Sequence, residues 1–205
     1  MNAEKSNEND NGIKIILLGE SGVGKTNLIH VFMGYKFDIN SSANTTNLYS
    51  LESEFPYKKK KYKFYMWDTA GQEFYRSINK IFIRNAKIIL ITYSIIDRKS
   101  FEEVDYWINC VKETKEDDKY IIGLVANKSD LFEQQLISDE EGKEKAKKYG
   151  IDFIITSACE NIDTFKTFVY KLLSNYIETY VDDIGGKKGN IKLNEKKNKD
   201  KKKCC

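Results

Sequence analysis

The chain has 205 residues, 40% hydrophobic and 32% charged, which suits one domain of about 150 residues or somewhat more with a single core and a tail. Its net charge of +3 is unevenly spread: nine lysines against Glu195 and Asp200 give residues 185–205 a charge of +7, leaving −4 for residues 1–184. A mildly acidic body with a basic end argues against a nucleic-acid binder built on a basic face, and no apolar run approaches the ~20 residues of a membrane span.

Residues 1–11 are polar and read as a flexible N-terminus with no secretory signal; Asn2, where Gly would be required, excludes an N-myristoyl acceptor. IKIILL at 13–18 is short, apolar and β-branched, and its stop at Gly19 predicts a buried strand. A helix is predicted over 25–34, closed by Gly34, and a loop over the Asn-, Ser- and Thr-rich residues 35–46. Residues 47–55 and 61–67 predict two strands joined by a Lys-rich turn containing Pro56, and 72–83 a weak helix or irregular stretch.

The alternation then becomes regular. Strands are predicted over 86–93, 120–127 and 153–156, and helices over 100–113 with a cap at Ser100, 138–149 opening on Ser-Asp-Glu-Glu, and 162–179. Near-continuous apolar strands between helices predict an α/β fold. Its sheet is six-stranded and mostly parallel, with one antiparallel edge strand and helices on both faces. Composition shifts to Gly, Lys and Asn near the end, so 181–205 reads as a disordered basic tail beyond a domain at 12–180. Cys110 and Cys159 are isolated and show neither metal-ligand nor disulfide spacing, as expected in a reducing compartment such as the cytosol.

Three blocks carry chemistry. Gly19-Glu20-Ser21-Gly22-Val23-Gly24-Lys25-Thr26 fits the G-x-x-x-x-G-K-[ST] phosphate loop and lies between a predicted strand and helix. Its glycines let backbone N–H groups turn inward onto phosphate oxygens, and the helix N-terminus adds about half a positive charge there. Lys25 is expected to bridge the β- and γ-phosphates and the Thr26 hydroxyl to ligate Mg²⁺. Asn127-Lys128-Ser129-Asp130 closes the strand at 120–127. A carboxylate there can accept from guanine N1–H and its exocyclic amine, a donor pair adenine lacks, so Asp130 selects GDP and GTP and argues against an ATP-dependent phosphotransferase. In Asp68-Thr69-Ala70-Gly71-Gln72, Asp68 is placed to reach Mg²⁺ through water, the Gly71 N–H to reach the γ-phosphate, and Gln72 to orient an attacking water.

In this order the three blocks resemble the Ras superfamily of small GTPases. Trp67-Asp68-Thr69-Ala70-Gly71-Gln72-Glu73, with Ser21 and the final Cys204-Cys205, narrows the likeness to the Rab family over about residues 12–180. The resemblance implies the P-loop NTPase (small G-protein) fold, GTP hydrolysis served by Gln72 and Lys25, and Mg²⁺ held by Thr26, Thr45 and Asp68. It implies a nucleotide site of Gly19, Ser21, Gly22, Val23, Gly24, Lys25, Thr26, Asn27, Phe37, Thr45, Gly71, Asn127, Lys128, Asp130, Ser157, Ala158 and Cys159. Phe37 would pack on the base, and the Ala158 N–H would face guanine O6. The implied role is a monomeric switch in vesicle trafficking on the cytoplasmic face of an endomembrane, cycling with the cytosol. Two geranylgeranyl groups on Cys204 and Cys205 and the polybasic tail would anchor it, with no role for nucleic acid. Its partners would be a guanine nucleotide exchange factor, a GTPase-activating protein, Rab escort protein, GDP-dissociation inhibitor and effectors.

The chain departs from the family pattern in places. Where Rabs usually carry Thr-Ile-Gly in the first switch loop, it reads Asn44-Thr45-Thr46-Asn47, with Thr45 favoured as the switch threonine and Thr46 its competitor. This motivates a second reading, a nucleotide-bound scaffold without a GTP/GDP cycle. Cys159 stands where Lys is frequent. Ser50 stands where an exposed aromatic trio usually has Phe, Trp67 and Phe82 filling the other places. Arg76, Arg84 and Arg98 are the only arginines and none lies within 35–46, so no arginine finger is available in cis from that loop and hydrolysis is expected to be slow. His30 reads as structural or exposed.

Overall fold

The computed structural model describes residues 12–38, 50–68, 79–115 and 119–181. Its strands are β1 (Ile13–Leu18), β2 (Ser50–Tyr57), β3 (Lys60–Trp67), β4 (Ile88–Ser94), β5 (Ile121–Asn127) and β6 (Asp152–Ile155). The helices are α1 (Lys25–Phe32), α2 (Asn79–Arg84), α3 (Arg98–Glu102), α4 (Val104–Thr114), α5 (Asp139–Tyr149) and α6 (Ile162–Tyr176). The six strands form one sheet in the order β2-β3-β1-β4-β5-β6, parallel throughout except for β2, which runs antiparallel to β3 at one edge.

The pleat explains the continuous apolar strands. Ile15 and Leu17 of β1, with Ile88 and Leu90 of β4, point into a core closed by α1 and α6 through Leu28, Ile29, Phe165, Val169, Leu172 and Leu173. Their neighbours Ile16, Leu18, Ile89 and Ile91 point the other way, onto Val104, Trp107, Ile108 and Val111 of α4. Both faces are buried, so both sets of alternating residues are apolar.

Three local expectations are corrected. The β2–β3 turn is Lys58-Lys59, both in the left-handed region (φ 45° and 65°), and not a turn around Pro56. Pro56 lies within β2 opposite Lys61, tolerated because an edge strand has a row of amides that need no ladder partner. The helix predicted from Ser100 starts at Arg98 and breaks at Glu103 into α3 and α4. Its cap is Asp97, whose carboxylate accepts from the Ser100 N–H at 3.2 Å, while the Ser100 hydroxyl donates to the Asp97 carbonyl at 2.7 Å. The last helix stops at Tyr176 and continues as a wider π-turn over Ile177–Val181. By contrast, α5 opens where predicted: Ser138 and Glu141 exchange a reciprocal pair of side chain–backbone bonds.

Candidate functional site

The site forms where β1, β3 and β5 end, at the carboxyl edge of the sheet, as open α/β sheets place it. Residues 19–24 leave β1 and turn directly into α1. Gly19 has φ +145°, and a Cβ on it would stand 2.0 Å from the Thr92 carbonyl oxygen of β4. Gly24 caps α1 at φ +97°, where a Cβ would stand 2.4 Å from Asn127 Nδ2. No L side chain fits either position, so the loop packs backbone against its neighbours. The Lys25 ammonium, on a residue only 3% exposed, donates to the carbonyls of Gly19 (3.0 Å) and Glu20 (2.8 Å) and spans the loop.

The first turn of α1 has no acidic residue and Gly24 contributes no side-chain cap, whereas α5 begins with Ser138 and Asp139, Glu140 and Glu141. An anion therefore meets little competition at the N-terminus of α1, and a buried lysine is already beside it.

At the second residue of α1, the Thr26 hydroxyl donates to Asp68 Oδ2 at 2.7 Å, both residues being buried. This bond joins α1 to the residue that follows β3, 42 positions away. Its direction matters: with its proton committed to Asp68, the Thr26 oxygen has lone pairs to offer a cation. A hydroxyl oriented by a carboxylate is a donor set that suits a hard divalent ion such as Mg²⁺.

The base edge is built from β5 and the turn after β6. Asn127, 1% exposed, donates through Nδ2 to the Val23 carbonyl at 2.8 Å and accepts at Oδ1 from the Ala158 N–H at 3.3 Å. It thus ties the phosphate loop to the last loop of the site. Lys128 follows in the left-handed conformation, φ 67°, half-buried, and burial lowers its pKa against the pull of Asp97 and Asp130. Asp130 Oδ1 accepts the Ser157 hydroxyl, and Ser157 Oγ in turn accepts from the N–H groups of Cys159 (3.0 Å) and Glu160 (3.1 Å). The Asp130 carboxylate is thereby fixed in orientation with lone pairs left for a ligand.

The predicted residues thus fall into two joined groups, one around Lys25, Thr26 and Asp68, the other around Asn127, Asp130 and Ser157. Phe37 stands 39% exposed beyond the end of α1. Two placements differ from expectation. The Ala158 N–H, expected to face guanine O6, is directed at Asn127 in this structure. Phe82, expected in an exposed trio, is only 7% exposed, because α2 turns it inward beside Ile83. Cys159 is exposed, and desolvation first, then the Asp130 and Glu160 carboxylates, push its thiol pKa up, which keeps it protonated. His30 is half-buried with its ring 5.7 Å from that of Tyr35, in line with a structural role. Thr45, Gly71, Gln72, Cys204 and Cys205 lie outside the described residues. What the motifs did not disclose is the bridging role of Asn127: no local signal links it to Val23, 104 residues earlier.

A parallel sheet with a glycine loop between its central strand and first helix, and one antiparallel edge strand, defines the small-GTPase class of P-loop fold. The Ras family model matches residues 14–177. Similar proteins include Ras-related protein Rab-11B of Dictyostelium discoideum, 35% identical over 199 residues, with 93% of this chain and 90% of the relative covered. Ras-related protein SEC4 of Saccharomyces cerevisiae is 35% identical over 206 residues, covering 96% and 92%. Ras-related protein rab-11.1 of Caenorhabditis elegans is 32% identical over 208 residues, covering 98% of each. The chain belongs to the Rab family of the Ras superfamily: it is a GTP-hydrolysing small GTPase of vesicle trafficking.

Proposed function

We propose that this GTPase is a two-state switch whose nucleotide site reaches the second switch segment through the Thr26–Asp68 bond. That bond is the observation that carries the reading. Asp68 immediately precedes residues 69–78, so whatever Thr26 meets is passed to the segment that contains Gly71 and Gln72. The N–H groups of the phosphate loop and Lys25 hold the β- and γ-phosphates; Asp130, oriented by Ser157, takes the guanine edge; Asn127 keeps the two halves in register. Thr26, Asp68 and Thr45 would hold Mg²⁺, which when bound neutralises phosphate charge.

Gln72 orients the attacking water and Lys25 offsets charge on the phosphates. Arg84 is exposed at the end of α2, and Arg98 is held by Glu141 and the Leu136 carbonyl, so neither serves as a finger at the phosphate. An arginine supplied by an activating protein would then raise the rate by about 10³–10⁵-fold. An exchange factor resets the switch and effectors read it.

Two lipid groups on Cys204 and Cys205, together with the basic tail, would hold the protein on the cytoplasmic face of an endomembrane, where one lipid chain alone gives only marginal binding. Among the described residues no helix is long and apolar enough to cross a membrane. Rab escort protein and GDP-dissociation inhibitor would handle the lipidated form.

Trypsin reads the switch without a partner. With GDP bound, the chain is expected to be cut at Arg76, and with a non-hydrolysable GTP analogue that cut is suppressed. Equal cleavage in both forms would instead favour the scaffold reading that Asn44–Asn47 motivates.

A further inference from the structure

The β2–β3 hairpin closes on two residues, since Tyr57 pairs with Lys60 across the strands. Both loop residues, Lys58 and Lys59, have positive φ, the pattern of a type I′ turn, which Asn-Gly fits and lysine does not. Lys60 and Lys61 follow at once, so four exposed lysines crowd one tip and repel each other. Two have carboxylate neighbours: Lys58 Nζ lies 3.1 Å from Glu178, and Lys61 Nζ 3.1 Å from Glu54. The side chains of both pairs are at least half exposed, so the pairs contribute little to the fold and exchange readily for another anion. Lys59 makes no ion pair among the described residues. Nor is the run the lysine guard of a sheet edge, because Lys58 and Lys59 lie in the turn and Lys60 and Lys61 on β3, which β2 already covers. Within the fold these lysines only cost stability, which points to an anion outside it.

The position of the hairpin says which anion. The Tyr57 hydroxyl donates to Glu178, which also holds Lys58, and Glu178 lies in the π-turn that ends at Val181. Beyond Val181 the chain runs into residues 185–205, with their charge of +7, and ends on Cys204-Cys205. The hairpin is thus fastened to the point from which the basic tail departs. It stands at the edge of the sheet where the parallel strands begin, opposite the carboxyl edge that carries Lys25 and Asp130. An anionic surface that meets the tail therefore meets the hairpin tip as well, with the nucleotide site facing away from it.

We propose that the Lys58–Lys61 hairpin is a second membrane contact, binding clustered anionic lipid headgroups beside the tail and fixing which way the folded body faces on the bilayer. This rests on the membrane-anchoring reading above and adds to it a contact made by the domain itself. Lys58 exchanges Glu178, and Lys61 exchanges Glu54, for headgroup phosphate or carboxylate; Lys59 has nothing to exchange.

The test floats the full, unlipidated chain with phosphatidylcholine vesicles of which about one-third is phosphatidylserine. Lys58→Asn with Lys59→Gly supplies the pair the turn prefers and removes two charges. Its affinity for the vesicles is expected to fall about tenfold or more while its melting temperature rises by about 2 °C or more, a combination that misfolding cannot produce. Lys58→Arg with Lys59→Arg should keep the wild-type affinity. So should the charge-matched control Lys99→Gln with Lys143→Gln, at exposed positions of α3 and α5. Equal vesicle binding by the Asn-Gly variant and wild type, or a lowered melting temperature, overturns the proposal. An equal loss in the control overturns it in favour of net charge alone. Hairpin-dependent binding to polyglutamate as tight as to the vesicles overturns the choice of a bilayer in favour of an acidic protein. Mass spectrometry after incubation with a geranylgeranyl donor and a eukaryotic lysate reads the lipid anchor separately, so its failure is distinguishable from failure of the hairpin contact.

Discussion

Asn127→Ala tests the tie between the two halves of the site. The wild-type amide donates to the Val23 carbonyl at 2.8 Å and accepts from the Ala158 N–H at 3.3 Å, at a residue 1% exposed. Truncation leaves a buried carbonyl and a buried N–H without partners, each at a cost of about 1–3 kcal/mol, with the longer bond at the lower end. Together they amount to about 2–4 kcal/mol, or about 30- to 1,000-fold in an equilibrium constant. Where the two loops hold together without ligand, the loss falls on stability; where the nucleotide draws them together, it falls on affinity. Both are therefore measured, by thermal unfolding and by displacement of a fluorescent GDP analogue. Asn127→Asp apportions the effect: it keeps the acceptor for Ala158 but faces the Val23 carbonyl with a carboxylate, so it should be at least as damaging as Ala. A variant with both stability and GDP affinity within about threefold of wild type would refute the bridging role, because that is below ~0.7 kcal/mol.

Further outcomes are expected elsewhere in the site and fold. Asp130→Asn, which exchanges an acceptor for a donor, should weaken GDP and GTP and favour xanthine nucleotides; competition by XDP checks it, and an unchanged guanine preference would remove Asp130 from the base edge. Gln72→Leu should lower single-turnover GTP hydrolysis tenfold or more, ~1.4 kcal/mol of barrier, with nucleotide affinity retained. The Arg98 guanidinium, then the Ser138 backbone N–H, hold the Glu141 carboxyl down at about 2 from 4.5. A depressed carboxyl stabilises the fold above the unfolded value, so this contribution is present above about pH 4.5 and is lost as pH falls toward about 2. In thermal melts across that window, Glu141→Gln should flatten the pH dependence, and parallel curves for the two proteins would contradict it.

The strands and the phosphate loop were legible because their signals are local. The run 13–18 ends on a glycine, and the motif that follows has a single structural context, strand then helix. Ser138 and Glu141 likewise disclosed the start of α5 within four residues. Where two local signals competed, the reading went astray. Pro56 suggested a turn, but the turn fell on two lysines because the edge position of β2, invisible in sequence, made proline acceptable there. Ser100 is the cap the sequence suggests, and the structure gives that place to Asp97. The tertiary bond from the Ser94 N–H to Ser100 Oγ at 3.0 Å occupies the serine and leaves Asp97 to cap the helix. The bonds Thr26–Asp68 and Asn127–Val23 span 42 and 104 residues, so the motifs named their members but only the sheet order shows which of them meet.

The central claim is that the phosphate loop and the Asn127–Asp130 edge form one guanine-nucleotide site. A competition titration against a bound fluorescent GDP analogue tests it most directly, with GDP, GTP and ATP as competitors, first with Mg²⁺ and then with a chelator. The account predicts displacement by GDP and GTP, none by ATP at the same concentrations, and a large loosening of the analogue on chelation. Equal displacement by ATP would contradict the reading of Asp130, and binding indifferent to the chelator would contradict the role given to Thr26 and Asp68.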